Sequence, residues 1–476
     1  MVLLNVAGDD DDDTEEDHSD QQSPLSKKKT LINPAFSRFN SRINVVYTCT
    51  EDVLNNGVIV AFRMNEQGSL IKIGSVDAGG TSTCYITIDS SETHLIATNY
   101  WNSTLTVIPI SYETGEFLGP IKNTYDPKGG CSMVAACKKE GGVNHSNNDA
   151  STIQERQKDP HSHALVLDPF VGCIAYVPDL GKDLIRELYY DRAAGAIVSQ
   201  VNVLPSGLSN CTAAAGGKKK KPDGPRYIEF HPKYDIAYVV NELSCTIAVF
   251  SVNRLAIEEL SNASNEHDSD MTKLALHRFT HKPTLELIQS IKTVPDAFPT
   301  NMNTCGRVTV HPSGNFVICS NRGHESIAIF RVCRKGSTQG HLRNVGFFHT
   351  YGETPRHFQF DASGQYLIVA NQDSNSIAVF SFNLSSGEIK FTGNKYRVPS
   401  PNFVCNCVVQ DCLSVAVKDD DEVIAASSTI NKGDDTNQNN VDLIHINRTA
   451  WSQEEMMMEL VKARDEIRSL KARLGE

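Results

Sequence analysis

The chain has 476 residues and is 40% hydrophobic, enough for a large core, and its formal net charge is −12. That charge argues against a general nucleic-acid binder, which needs a basic face. No apolar run reaches the roughly 18 residues needed to cross a membrane, and the first residues, MVLLNVAGDDDDDTEED, lack the basic start of a secretory signal.

Residues 1–31 form an acidic, then Ser-rich, then basic tail ending in Lys27, Lys28 and Lys29; it is expected to be disordered. A repeat follows. Its clearest copy, GPRYIEFHPKYDIAYVVNELSCTIAVF from Gly224 to Phe250, reads as three short strands joined by turns. The Asp or His that closes its first turn recurs as Asp89, Asp168, His231, His311 and Asp361. The shortest step, His311 to Asp361, is 50 residues, about one four-stranded blade of 40 to 50 residues. Pro34 to Arg63 reads as a degraded first copy and Pro401 to Val409 as the inner strand of a last one. The expected fold is therefore all-β, a seven-bladed β-propeller over residues 32–450. Three insertions, Lys128 to Pro160, Pro205 to Asp223 and Arg254 to Asn303, are expected between blades. The lysine run Lys218 to Lys221 either steers an anionic substrate or is simply solvated.

Residues 451–476 change period. Met456, Leu460, Ala463, Ile467, Leu470 and Leu474 alternate spacings of four and three, and Ser452 with Glu455 makes a capping box. This predicts an amphipathic C-terminal helix that packs on the propeller, self-associates or meets a protein partner. The 13 cysteines are scattered, apart from Cys405 and Cys407, which reads as reduced thiols in a cytoplasmic protein rather than a metal centre.

In a propeller the residues before each inner strand and after each second strand converge on one channel mouth. The first set is Cys84, His163, Arg226, Gly306 and Arg356; the second is Tyr100, Asp179, Glu242, Arg322 and Gln372. So many charges at one mouth favour an anionic ligand, with the alternative that Arg226–Glu242 and Asp179–Arg322 are ion pairs joining blades.

The phrases PHSHALVLDP, GPRYIEFHP, VNELS, HPSGNFVICSNRGHESIAIF and ETPRHFQFDASGQYLIVANQDSNSIAVF resemble the seven-bladed propeller lactonases, a family that includes 6-phosphogluconolactonase and carboxymuconate lactonising enzymes. The resemblance implies catalytic roles for His163, Arg226, Glu242 and Arg322. It also implies hydrolysis of a small anionic sugar or carboxylate lactone. The chemistry needs a base for water and cations for the developing oxyanion. His163 is the expected base, with His161 as its rival, Glu242 orienting or stabilising it, and no metal or other cofactor required. Arg356 with His357 is expected to hold a phosphate, and His324 and Asp179 are further candidate substrate contacts. Two readings stand beside the hydrolase: a carboxymuconate cycloisomerase, and a non-catalytic propeller scaffold.

Overall fold

The computed structural model describes residues 33–65, 68–128, 130–132, 155–207, 221–264 and 283–407. These residues form six antiparallel sheets, each with its strands hydrogen-bonded in chain order; five have four strands and the second has five. In sequence they are blade 1 (34–81), blade 2 (83–132), blade 3 (166–205), blade 4 (225–292), blade 5 (304–349) and blade 6 (355–397). The first strands of blades 1 and 2, of 4 and 5, and of 5 and 6 pack on one another, which makes them the innermost strands of a propeller. The degraded first copy is a full blade.

The seven blades of the repeat count become six among the described residues. Residues 401–407, expected to begin the last inner strand, carry no strand ladder. They nevertheless lie where such a strand belongs, because the Phe403 ring packs 4.5 Å from Phe36 of blade 1 and 3.9 Å from His357 of blade 6. The rest of the expected last blade, the acidic tail and the helix over 451–476 fall outside the described residues. The third insertion also differs from expectation. It is not wholly an insertion: its residues Leu285–Lys292 are the outer strand of blade 4, and α1 (Arg254–Ser264) lies between that strand and the third strand (Thr246–Val252).

Each blade is too thin to bury both its faces alone, so the core is a set of seams between neighbours. The seam of blades 3 and 4 joins Ile174, Tyr176 and Ile185 to Ile228, Val239 and Phe250, and α1 adds Ile257 and Leu260. Blades 5 and 6 meet through Phe316, Ile318, Phe358 and Phe380. A third seam sets Ile96 and Val107 of blade 2 against Leu188 and Ile197 of blade 3.

The recurrent Asp or His is explained by the turn it occupies. Asp168 accepts from five backbone N–H groups, those of Phe170, Val171 and Gly172 at Oδ1 and of Cys173 and Ile174 at Oδ2. Asp361 and Asp89 cap their own turns in the same way. The histidines do this and more. His231 accepts from Lys233 and Tyr234 at Nδ1 and donates from Nε2 to the Gly314 carbonyl of blade 5, at 2.8 Å. His311 likewise reaches Gly364 of blade 6, at 2.9 Å. Burial lowers both imidazole pKa values, which keeps Nδ1 an acceptor. Asp closes one turn; His closes one turn and ties it to the next blade.

Asp168→Ala strands the N–H groups of a buried turn. It is expected to cost about 3 kcal/mol or more, seen as a lower denaturation midpoint in urea with an unchanged slope.

Candidate active site

The innermost strands start with an irregularity that no residue pattern announces. Pro225 faces Asn241 and Tyr227 faces Val240, so Arg226 is an extra residue in the ladder. The same bulge sets off Ala35 in blade 1, Cys84 in blade 2 and Arg356 in blade 6. In blade 5 the register shift between Cys305 and Val308 holds Gly306 and Arg307. Bulges re-aim a side chain out of the pleat, and here they do so at the positions expected to line the mouth. In blade 3 the place is taken by His163, ahead of the short strand Val166–Leu167, with Ser162 bridged to Asp179.

Glu242, at the end of the second strand of blade 4, is the centre of the cluster. Its Oε2 lies 3.0 Å from Arg226 Nε and 3.0 Å from Arg322 Nη2 of blade 5, and its Oε1 lies 2.7 Å from Arg156 Nη2. Burial alone would raise this carboxyl, but Arg156, Arg322 and Arg226 hold it well below the usual carboxylate range. Arg226 and Arg322 are fixed a second time on backbone, donating to the carbonyls of Gly306 (2.6 Å) and Cys305 (2.7 Å). A Cβ at Gly306 would come within 2.8 Å of the Arg356 carbonyl, so glycine is what lets these two inner strands approach.

His163 is buried beside this group. Its ring meets Tyr227 edge-on at 5.4 Å and Tyr100 at 5.2 Å, and Nδ1 is 3.9 Å from Cys84 Sγ. Burial, then the Arg226 charge, push its pKa well below 6.5, against the pull of Glu242. The imidazole is therefore neutral, where the isolated residue would be half-protonated near 6.5. His161 stacks on Tyr100 at 4.8 Å, donates from Nδ1 to the Tyr100 carbonyl, and is also lowered by burial. Tyr100 stays a phenol, raised to about 12 mainly by burial, and accepts from Arg156 Nε at 2.8 Å.

The structure thus brings His163, Arg226, Glu242 and Arg322 together, with His161 alongside. Arg356 stands at the same mouth and is loosely held, 3.7 Å from Glu51 and 3.5 Å from the Gln372 amide oxygen. Three expected contacts point elsewhere. His357 is engaged elsewhere: its Nδ1 accepts from Val404 N and its Nε2 meets Arg307 Nη1, which removes it from any phosphate site with Arg356. Asp179 is fully buried and pairs with Arg186 at 2.6 Å, not with Arg322, while accepting from the His161 backbone. His324 is bonded to Ser326 and wedged edge-on between Phe298 and Phe347. Sequence reasoning missed Arg156, which arrives from the insertion after blade 2, and Glu51, the expected degraded blade's contribution.

Below the mouth the channel is floored by rings. Tyr227 contacts Tyr85 (5.5 Å), Tyr85 contacts Phe36 (4.3 Å), Phe36 contacts Phe403, and Phe403 contacts His357. The mouth gathers four guanidinium groups around the carboxylates of Glu242 and Glu51. Such a cluster suits an anionic ligand with one electrophilic carbon near a neutral imidazole.

A family model described as a seven-bladed β-propeller lactonase matches residues 14–275 and 263–409. A 6-phosphogluconolactonase of Bacillus subtilis is 25% identical over 370 residues, 78% of this chain and 86% of that one. A second protein of that name, from Formosa agariphila, is 26% identical over 378 residues, covering 78% and 88%. In fold the chain is similar to the periplasmic gluconolactonase of Pseudomonas aeruginosa, at a TM-score of 0.59, 21% identity, and 80% and 90% coverage.

Glu242→Gln removes the one charge that three guanidinium groups share. It is expected to destabilise the fold by about 3–5 kcal/mol, measured by chemical denaturation, with part of the loss recovered when Arg156 is also neutralised.

Proposed function

Because the chain belongs to the seven-bladed β-propeller lactonase family, we propose that it hydrolyses a small anionic lactone, with 6-phosphogluconolactone as substrate. The observation that carries this reading is the neutral His163 buried against the Glu242–arginine cluster. In this mechanism His163 takes a proton from water as that water attacks the lactone carbonyl. Arg226 and Arg322, fixed by Glu242, stabilise the negative charge that gathers on the carbonyl oxygen. Glu242 has both oxygens occupied, so its role is to hold the arginines rather than to move a proton. Arg356, whose own partners are distant, binds the substrate's remote anionic group.

The family pattern and the lie of residues 401–407 between blades 6 and 1 support a seventh blade drawn from the chain beyond residue 400. The proposed domain plan is a disordered tail (1–31), a propeller (32–450) and a C-terminal helix (451–476) whose heptad seam suits self-association or a protein partner. Nine free thiols among the described residues fit a reducing cytoplasmic setting.

His163→Gln is expected to lower kcat about 10²- to 10⁴-fold, whereas Arg356→Ala mainly raises KM, both read on 6-phosphogluconolactone. A carboxymuconate assayed in parallel tests the cycloisomerase reading, and no turnover of either compound would leave a scaffold.

Because the His163 pKa is depressed, its basic form persists as pH falls. The acid limb of kcat/KM should therefore lie below 6.5; a limb above that value would mean that His163 is not the base.

A further inference from the structure

A second polar compartment opens beyond the aromatic floor: a cavity of about 450 Å³ whose walls include Ser37, Arg38, Ser41, Arg307, Gln359 and Asn406. Ser41 follows the innermost strand of blade 1 (Pro34–Asn40), and Gln359 sits near the end of that of blade 6 (Pro355–Phe360). The residues of the first site stand at the opposite ends of these strands. The cavity's volume is within the range of small-molecule sites.

Its two arginines are firmly held yet poorly neutralised. Arg38 donates from Nε to the Ile86 carbonyl (2.9 Å) and from Nη2 to the Tyr85 hydroxyl (2.6 Å), and its guanidinium lies 4.9 Å from the Phe36 and Tyr85 ring centres. Arg307 meets His357 through Nη1, while its buried Nε has no hydrogen-bond acceptor among the described residues. Among those residues neither guanidinium has a carboxylate at ion-pair distance. The carboxyl that interacts with both is Glu229, whose pKa is raised by burial against the pull of Arg307 and Arg38, and the Cys405 thiol of the cavity wall also feels both arginines. Burial also lowers the Arg307 pKa, opposing its charge. Two guanidinium groups facing one carboxyl in a concave site leave positive charge uncompensated.

We propose that this cavity is a second anion site, separate from the lactone site, which takes a small phosphate- or carboxylate-bearing ligand on Arg38 and Arg307. The forked donors of arginine match either oxyanion, and Ser37, Ser41, Gln359 and Asn406 offer partners for hydroxyl groups on the same molecule. The proposal does not depend on the lactonase reading.

The test is calorimetric titration of the full chain with inorganic phosphate and, separately, with gluconate. The wild type should show a class of binding that Arg307→Gln weakens at least tenfold and that Arg356→Ala leaves in place. Gln359→Glu keeps every arginine and adds a negative charge to the wall, so it should abolish the same class and decides the matter if Arg307→Gln does not fold. The tighter of the two probes identifies the preferred oxyanion. Binding of both probes that is unchanged by Gln359→Glu, that disappears in Arg356→Ala, or that is absent from the wild type would overturn the proposal.

Discussion

One buried carboxylate organises the mouth of this propeller. Glu242 is nearly inaccessible to water, and such a group survives as an anion only where positive charge closes around it. Three arginines supply that charge from three places: the same blade, the next blade, and the insertion between blades 2 and 3. The arrangement works in both directions. The guanidinium groups keep the carboxylate ionised, and the carboxylate, with two backbone carbonyls, fixes the guanidinium groups that would otherwise be long and mobile. What results is a positively charged surface that is already in place before a ligand arrives, which is the condition for electrostatic stabilisation without reorganisation.

The same positive surroundings set the state of His163. Burial disfavours the imidazolium first and Arg226 disfavours it further. The cost is a weaker base, and the gain is that the base is unprotonated throughout the neutral range. Tyr100 is shifted upward by the same burial and remains a proton donor. Desolvation thus pushes the imidazole and the phenol in opposite directions and leaves both neutral.

Most of the architecture was legible because it repeats. The Asp or His of the first turn has a backbone task in blades 2 to 6, so its spacing marks those blades, and the run after it marks a buried second strand. The two sets of mouth positions were legible for the same reason, and His163, Arg226, Glu242 and Arg322 fell where counting placed them. What does not repeat was not legible. Arg156 belongs to an insertion with no counterpart in other blades. The partners of Asp179 and His324 lie within a local turn and a seam, which strand counting does not see. His357 turns to Val404 N and Arg307 rather than to the mouth, partners that strand counting does not show. The blade number and the terminal helix depend on residues outside those described.

The bulges at Cys84, Arg226 and Arg356 have a consequence for how such a protein changes over time. Each places its residue outside the register that pairs the inner strand with its neighbour. A substitution there alters the mouth while the hydrogen-bond ladder and the apolar seams between blades keep their partners. Scaffold and reactivity therefore occupy separate letters of one short word, and new specificities can be written into the ring without renegotiating its closure. Alanine at the corresponding position of blade 1, cysteine in blade 2 and arginine in blades 4 and 6 already differ in this way on a single frame.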